Sequence, residues 1–373
     1  MNYLLIPDKF KGSLTAKEVI TSISNGIIRA NNSATIYSVI ASDGGDGFLD
    51  AVANNIDCAV ISVETVDPLG QPIIAPYLLN KTNSTGYIEM AKASGLELLK
   101  QSERSALKTS SFGTGVQILD AIKNGAKTIY IGLGGSATND AGLGIAMAFG
   151  YAFLDANGQA LSPIGDNLGK VAKIHKPVES KLVDGVSIFA VNDVNNPLFG
   201  ANGAAYVYAK QKGASNQEIK YLDHGLQHLN TVIEEQLFAQ NALVPGAGAA
   251  GGTAFGLKTF FNAEFISGID FLLELAQVSE IIKKNTIEYI ITGEGKIDDQ
   301  TSNGKLVKGV VTMAQKFNIP VIGVCGVLEL SSEQVQRMGM QTAFQIVNPD
   351  KGVEYSIKNA ALLVEDVIYN FFK

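Results

Sequence analysis

Five segments of the sequence combine carboxylates with glycine, hydroxyl, amide or lysine side chains, and each follows a short apolar run typical of a strand. They are residues 8–13, 42–47, 134–140, 192–198 and 293–301. In open α/β sheets, ligands bind at the carboxyl ends of the strands. One such loop would be ordinary, because loops are polar and rich in glycine. Five of them indicate a ligand site.

These residue types suit the chemistry of phosphate groups. Glycines allow backbone N–H groups to turn toward an anion, and a helix N-terminus adds a positive end. Serine and threonine add hydroxyl donors, and lysines offset negative charge. Carboxylates bind Mg²⁺, which prefers oxygen ligands and substrate phosphates. Together they are the components of phosphoryl transfer, in which catalysis is mainly positioning and charge stabilisation.

Residues 132–137 read GLGGSA and also fit the dinucleotide-binding fingerprint, with Asp155 at a suitable distance downstream. An NAD-dependent hydroxy-acid dehydrogenase is therefore the alternative enzyme, and a nucleotide-binding regulator without turnover is the alternative outside enzymes. Ser136, Thr138 and Asn139 are polar where a dinucleotide-binding helix packs tightly on its strand, so a phosphate loop is favoured. The motifs of P-loop NTPases, protein kinases and α/β-hydrolases do not occur in the sequence.

The composition narrows the class of protein. The chain has 373 residues, of which 46% are hydrophobic, and a net charge of -7. This length predicts two domains, and the acidic balance argues against a nucleic-acid partner. Two cysteines exclude a disulfide framework and fit a reducing cytoplasm. We expect no targeting segment and no membrane partner, because no apolar run is long enough to span a bilayer.

Strand and helix patterns alternate along the chain, which predicts an α/β protein with a mostly parallel sheet. The opening strands and the closing run look like two halves of one sheet. We therefore predict a discontinuous domain of residues 1–66 and 287–373, with residues 67–286 inserted. The turn at residues 67–72 is expected to be the crossing between the domains.

Five motifs of the sequence resemble those of the class I glycerate kinases of bacteria. They are PDKFKGSLTA at 7–16, DGGDG at 43–47, GLGGSATND at 132–140, PGAGAAGG at 245–252 and TGEGKIDDQT at 292–301, followed by Gly304 and Lys305. They occur in the family's order and cover nearly the whole chain. Lys9 and Asp46 depart mildly from the family pattern, in which serine and glutamate are common at these positions.

The resemblance implies ATP-dependent phosphorylation of D-glycerate with Mg²⁺, with 2-phosphoglycerate favoured over 3-phosphoglycerate. It also implies a Rossmann-like or restriction-enzyme-like parallel-sheet domain, with a flavodoxin-like domain inserted in it. The site is expected in the cleft between the two domains. A homodimer is left open.

Asp193 is the candidate base, because it ends a buried strand and lies among asparagines that could position a small polar substrate. An Asx turn ahead of Pro197 would explain the same residues without catalysis. The other catalytic candidates are Lys9 and Lys11. The candidate substrate- and phosphate-binding residues are Asp8, Ser13, Gly134, Gly135, Ser136, Thr138, Asn139, Asn192, Gly293, Glu294, Lys296, Gln300, Thr301 and Lys305.

The candidate Mg²⁺ ligands are Asp43, Asp46 and Asp298, with Glu294 as a rival. Asp43 and Asp46 lie three residues apart in a glycine-rich turn, so that both could face one ion. Capping of the following helix is the alternative explanation for these two residues. The sequence does not rank these ligands.

Overall fold

The structure, a computed structural model, describes residues 1–10, 12–40, 47–177, 183–302 and 306–373, with the side chains of Gln300 and Ser302 outside the description. The chain divides into two compact units. The outer unit comprises Met1–Asp43 and Ile269–Lys373, and the inserted unit comprises Gly44–Gly268. The α/β class with parallel sheets is confirmed, while the likeness of each unit to a particular fold stays a prediction.

The strands of the described chain are β1 Asn2–Pro7, β2 Thr35–Ser38, β3 Ala59–Val66, β4 Pro72–Asn80, β5 Thr85–Glu89, β6 Thr128–Gly132, β7 Ala152–Leu154, β8 Lys173–His175, β9 Ser187–Val191, β10 Glu264–Ile266, β11 Ile287–Ile297, β12 Val321–Leu328 and β13 Thr342–Gln345. The α-helices are α1 Ala16–Ala30, α2 Phe48–Ala53, α3 Ala91–Ser94, α4 Phe112–Lys123, α5 Leu143–Ala148, α6 Ala204–Tyr208, α7 Asn216–Leu237, α8 Ala249–Phe261, α9 Gly268–Leu275, α10 Val278–Lys284, α11 Leu306–Lys316, α12 Ser332–Arg337, α13 Gly352–Lys358 and α14 Ala360–Phe372.

The outer unit contains a five-stranded sheet in the order β13-β12-β11-β1-β2, with all its pairs parallel. Helix α1 begins at a capping box, in which Thr15 and Glu18 satisfy each other's backbone N–H groups. One side of the sheet is covered by α1 and α14, which approach closely at Gly26. A Cβ at Gly26 would lie 2.5 Å from the backbone oxygen of Glu365. Apolar residues of α9, α10 and α11 form a second core with strands of the same sheet.

The inserted unit contains a six-stranded sheet in the order β10-β9-β6-β5-β4-β3. Strands β10, β9, β6 and β5 are parallel to one another, whereas β4 is antiparallel to both of its neighbours. Aliphatic side chains from β6 and β9 pack with α4, α5 and α8 in one core. A second core lies around α6 and α7. The four parallel strands are the part of this unit that positions the candidate site.

The boundaries of the two compact units lie about twenty residues before the predicted boundary at each crossing. Strand β3 was assigned to the outer domain, but it pairs along its whole length with β4 of the inserted unit. Residues 67–71 form the turn of this hairpin, because the Asp67 carboxylate accepts the N–H groups of Leu69 and Gln71. The second boundary comes before α9, because Ile269 and Leu273 of that helix pack in the outer core.

Candidate active site

Four parallel strands of the inserted unit end in register at one edge of the sheet. Glu89 of β5 is paired with Gly132 of β6, Gly132 with Val191 of β9, and Val191 with Ile266 of β10. Neighbouring strands lie about 4.8 Å apart. The segments that leave these strands therefore form a row along this edge, and each of them carries polar groups.

The loop after β6 contains the candidates Gly134, Gly135, Ser136, Thr138 and Asn139. Gly135 is exposed and has a φ of 70°, which favours glycine. The three polar side chains that follow are buried. Thr138 Oγ1 and both amide atoms of Asn139 find no hydrogen-bond partner among the described residues. The loop therefore combines an exposed glycine turn with polar groups turned inward.

Asp140 ends this loop and has a structural role. Its carboxylate accepts hydrogen bonds from the hydroxyl and N–H of Ser111 and from the N–H groups of Gly142 and Gly144. Burial raises the pKa of Asp140, and these hydrogen bonds oppose the shift. The interactions anchor the loop to the start of α5.

The glycines at residues 246–252 support the loops after β6 and β9. A Cβ at Gly251 would lie 2.0 Å from the backbone oxygen of Thr138, and a Cβ at Gly248 would lie 2.3 Å from that of Pro197. Gly251 also accepts the N–H of Ala141. Glycine is needed here because three segments of backbone pack against each other.

Asp193 is two residues beyond the end of β9 and is half-buried. Its Oδ1 accepts the hydroxyl of Ser267 at 2.8 Å and the N–H of Gly268 at 2.9 Å, both from the segment after β10. Two donors from a neighbouring strand end fix the plane of this carboxylate. The adjacent Asn192 accepts the N–H of Val194, so an Asx-type turn is present as well.

Two charged residues of this unit were missed by the sequence analysis. Glu89 is 2% exposed, and its carboxylate lies 3.4 Å from the Lys92 ammonium and accepts the N–H of Leu49. Lys212 is also 2% exposed, and its Nζ contacts the loop after β6. A charge at the end of the apolar strand β5 was a usable signal for Glu89. Nothing in the sequence separates Lys212 from an exposed lysine.

The candidates of the outer unit lie at the ends of two adjacent strands, β1 and β11. The N–H of Asp8 donates to the backbone oxygen of Gly293, and the Asp8 carboxylate accepts the N–H of Lys9. The Lys9 side chain is exposed. Ser13 follows in the turn before α1, where its Oγ is buried without a hydrogen-bond partner in the described part of the chain.

Residues 293–297 continue strand β11 instead of forming a loop. A Cβ at Gly293 would lie 2.0 Å from the backbone oxygen of Val324 on β12, so this glycine allows close strand packing. Glu294 is half-buried and pairs with Cys325 of β12. Burial, with a smaller contribution from the charge of Glu294, raises the pKa of Cys325 to about 12.

Lys296 is exposed, and its ammonium lies 2.8 Å from the carboxylate of Glu329 and 3.3 Å from that of Asp298. Asp298 begins a short 3₁₀ turn with the buried Thr301, whose hydroxyl accepts the N–H of Asp298. These carboxylates therefore neutralise Lys296.

Some of the predicted site residues lie outside the described residues. They are Lys11, Asp43, Asp46, Lys305 and the side chain of Gln300. Among the residues that are described, no group of three or more His, Cys, Asp or Glu side chains could hold a metal ion.

Comparison with known proteins shows the family to which this chain belongs. A sequence model of the family described as "Glycerate kinase family" matches residues 3–373. The chain belongs to the glycerate kinase family. A glycerate kinase of Halalkalibacterium halodurans is 37% identical over 99% of this chain and 97% of its own length. A glycerate 2-kinase of Escherichia coli is 39% identical over 93% of this chain and 91% of its own length.

A solved structure agrees with this membership. The crystal structure assigned as glycerate kinase 2 from Salmonella typhimurium LT2 superposes with a TM-score of 0.82 and 34% sequence identity, covering 100% of this chain and 97% of that one. The protein is thus a kinase of the glycerate kinase family. Within the described residues, no helix has the length and apolar character needed to cross a membrane.

The alternative of an NAD-dependent dehydrogenase is not supported. The fingerprint reading needs Asp155 as the acidic residue that binds a ribose. Instead, the Asp155 carboxylate accepts the N–H groups of Asn157 and Gln159 and so closes a turn after β7. The match of residues 132–137 to the dinucleotide-binding fingerprint therefore reflects only the spacing of the glycines in a candidate phosphate loop.

Proposed function

We propose that this protein transfers the γ-phosphoryl group of ATP to a hydroxyl group of D-glycerate, with 2-phosphoglycerate favoured over 3-phosphoglycerate. The row of polar groups at the ends of β5, β6, β9 and β10 carries this proposal, above all the Asp193 carboxylate held by two donors. The family and its named relatives support the choice of glycerate, and the Escherichia coli relative supports the 2-position.

In this proposal, Asp193 orients the substrate hydroxyl and accepts its proton. A general base must be held within hydrogen-bond reach of the proton that it takes. The donors from Ser267 and Gly268 both bind Oδ1, and they keep the carboxylate from rotating. Catalysis of phosphoryl transfer depends mainly on such positioning.

The phosphate groups of ATP are proposed to meet the loop after β6. Gly134 and Gly135 would offer backbone N–H groups, and Ser136 would add a hydroxyl donor. Asn139, Thr138 and Asn192 would complete the hydrogen bonding around this loop. The outer unit would supply candidates from the ends of β1 and β11, namely Asp8, Lys9, Lys11, Ser13, Glu294, Gln300, Thr301 and Lys305. Gly293 and Lys296 are left out of this set, because Gly293 packs against β12 and Lys296 is paired with two carboxylates. That the reaction takes place in the cleft between the domains stays part of the proposal.

The described carboxylates fit Mg²⁺ that arrives with ATP better than an ion caged by the protein. Mg²⁺ keeps several waters and commonly uses one or two carboxylates beside substrate phosphates. The Asp298 carboxylate accepts the N–H of Thr301 and lies 3.3 Å from the Lys296 ammonium. The lysine therefore already balances the charge of this carboxylate. Asp43, Asp46 and Asp298, with Glu294 as a rival, stay the proposed protein ligands. When bound, the ion would neutralise charge on the phosphates. A cytoplasmic location and a homodimer stay predictions.

The test is the Asp193→Asn variant in a steady-state assay of ADP formation with MgATP and D-glycerate. Loss of a positioned base lowers kcat by about 10²-fold or more. Because the amide has the same size, the melting temperature should stay close to that of the wild type. Asp184→Asn is the matched control, since Asp184 is exposed and precedes the opposite end of β9. Turnover of Asp193→Asn within threefold of wild type would remove the catalytic role of Asp193.

A further inference from the structure

A lysine is fully enclosed next to the loop after β6. Lys212 is 2% exposed and ends a 3₁₀ turn, Lys210–Lys212, between α6 and α7. The next residue, Gly213, has a φ of 90°, and a Cβ there would lie 2.2 Å from the backbone oxygen of Arg104. The chain thus uses a glycine-dependent turn to place this side chain in the interior.

The lysine side chain reaches two groups of the loop. Its Nζ lies 2.9 Å from Ser136 Oγ and 2.6 Å from the backbone oxygen of Thr138. Both are charge-assisted hydrogen bonds when the amine is protonated, and such bonds are shorter and stronger than neutral ones. One side chain therefore fixes both the backbone of the loop and the hydroxyl of Ser136.

Burial of a lysine at this position costs folding free energy, and a functional role would explain why the residue is present. Burial lowers the pKa of Lys212 to about 7, and the negative charge of Asp140 opposes the shift. Buried ionic groups can often be replaced by apolar side chains with no loss of stability. The position of Lys212 beside a candidate phosphate loop indicates that this lysine has a functional role despite its free-energy cost.

The direction of the hydrogen bond to Ser136 determines what that hydroxyl can do. When Lys212 is protonated, its ammonium group has three donors and no acceptor, so Ser136 Oγ accepts from Lys212. The hydrogen of the Ser136 hydroxyl then points to another acceptor. Ser136 directly follows the exposed Gly135 and keeps 7% of its own surface exposed. The hydroxyl is thereby set to donate to an anion bound at the glycine turn.

We propose that Lys212 is a positioning residue that turns the Ser136 hydroxyl outward as a donor to a phosphate oxygen of the bound nucleotide. This inference rests on the proposed function, since it takes ATP as the ligand of the loop. Lys212 itself acts through Ser136 and through the backbone of Thr138, and it does not touch the ligand. The proposal adds a residue to the site that no sequence motif contains.

The experiment measures ATP affinity by isothermal titration calorimetry with the intact protein. The variants are Lys212→Met, Ser136→Ala, Ser136→Thr and the double variant Lys212→Met/Ser136→Ala. Lys210→Met is the matched control, because Lys210 lies in the same turn and is exposed. Circular dichroism establishes that each variant is folded.

Loss of a hydrogen bond to a charged group corresponds to about a tenfold or larger rise in Kd. We expect this rise for Lys212→Met and Ser136→Ala, and little change for Lys210→Met or Ser136→Thr, which keeps the hydroxyl. Because the two residues act as a unit, the double variant should bind ATP no more weakly than Lys212→Met alone. A lysine that acts only on stability would not give this non-additivity.

Wild-type affinity in Lys212→Met or in Ser136→Ala, or effects that multiply in the double variant, would overturn the proposal. If Lys212→Met does not fold, equal ATP affinity of Ser136→Ala and Ser136→Thr would still overturn the proposal, because it removes the hydroxyl donor that Lys212 is proposed to position. Wild-type protein that binds ATP without phosphorylating D-glycerate would contradict the proposed substrate but leave the affinity test valid. Wild-type protein that does not bind ATP would overturn both proposals.

Discussion

Two glycine-rich segments of this kinase look alike in sequence and differ in structure. Residues 134–140 leave strand β6 of the inserted unit as a loop, in which Gly135 adopts a left-handed conformation. Residues 293–297 of the outer unit belong to strand β11 and are hydrogen-bonded to β12. The first segment turns polar side chains into the interior, and the second leaves Lys296 exposed between two carboxylates.

The difference lies in what each glycine makes room for. A glycine can adopt a positive φ that presents backbone N–H groups, as at Gly135, or it can admit a neighbouring strand, as at Gly293. Only the first use creates a place for an anion. A motif of glycines with charged residues therefore predicts either an anion-binding turn or close packing of two strands. Only the packing around the segment distinguishes between them.

The largest expected effect is on the stability of the outer unit in the Gly293→Ala variant. The new Cβ would lie 2.0 Å from the backbone oxygen of Val324, so β11 and β12 would have to move apart. We expect a loss of about 3 kcal/mol or more, which lowers the melting temperature by about 10 °C. Differential scanning calorimetry measures the change.

The control for this variant is Gly169→Ala in the inserted unit. Gly169 is exposed, and a Cβ there would meet its nearest atom at an ordinary 3.7 Å. Its melting temperature should stay near the wild-type value. Equal melting temperatures for Gly293→Ala and the wild type would show that strand packing is not the reason for this glycine.

A smaller effect is expected on the pH dependence of stability, through Lys212. The folded-state pKa of about 7 lies below the ordinary lysine pKa of 10.5, so the unfolded chain binds more protons between these values. The contribution of Lys212 to stability is therefore lost as the pH falls to about 7 and regained as the pH rises toward 10.5. From pH 7 to pH 9.5, the free energy of unfolding of the wild type should rise by about 1–3 kcal/mol more than that of Lys212→Met.

Urea unfolding at the two pH values, followed by circular dichroism, measures this difference. Other groups that titrate in the same range are present in both proteins, so the comparison isolates the lysine. Parallel pH dependences of the wild type and Lys212→Met would contradict the account of a buried lysine beside the first segment.

The smallest effect is expected for Lys296→Met in the second segment. The Lys296 ammonium is exposed and paired with Glu329 and Asp298, and exposed ion pairs add little to stability. We expect an unchanged melting temperature and a change in KM for ATP of less than about threefold, because carboxylates already neutralise this charge. A steady-state assay checks this. A tenfold rise in KM would make residues 293–301 a phosphate site equal to the first.

The regular elements were largely predictable because local patterns determine them. The alternation of strand and helix patterns predicts the α/β class, and both large sheets of the structure contain parallel strand pairs. The crossings between units were not predictable in this way. A turn such as residues 67–71 has the same composition whether it joins two domains or closes a hairpin.

The candidate site was predictable only in part. Polar residues after β6 and β9 could be found because strand ends in parallel sheets collect ligands. The contacts that hold them, such as Ser267 on Asp193 and Lys212 on Ser136, join residues 74 and 76 positions apart in the chain. Such pairs have no local signal. The sequence alone does not distinguish a buried lysine from an exposed one.

Proton-coupled ³¹P NMR of the enzyme with MgATP and D-glycerate tests the central claim most directly. The account predicts a new phosphomonoester signal, formed together with ADP and split into a doublet by the single hydrogen on the 2-carbon. A triplet would place the phosphate on the CH₂ carbon and contradict the 2-position. Intact ATP in the presence of folded protein would contradict phosphoryl transfer to glycerate itself.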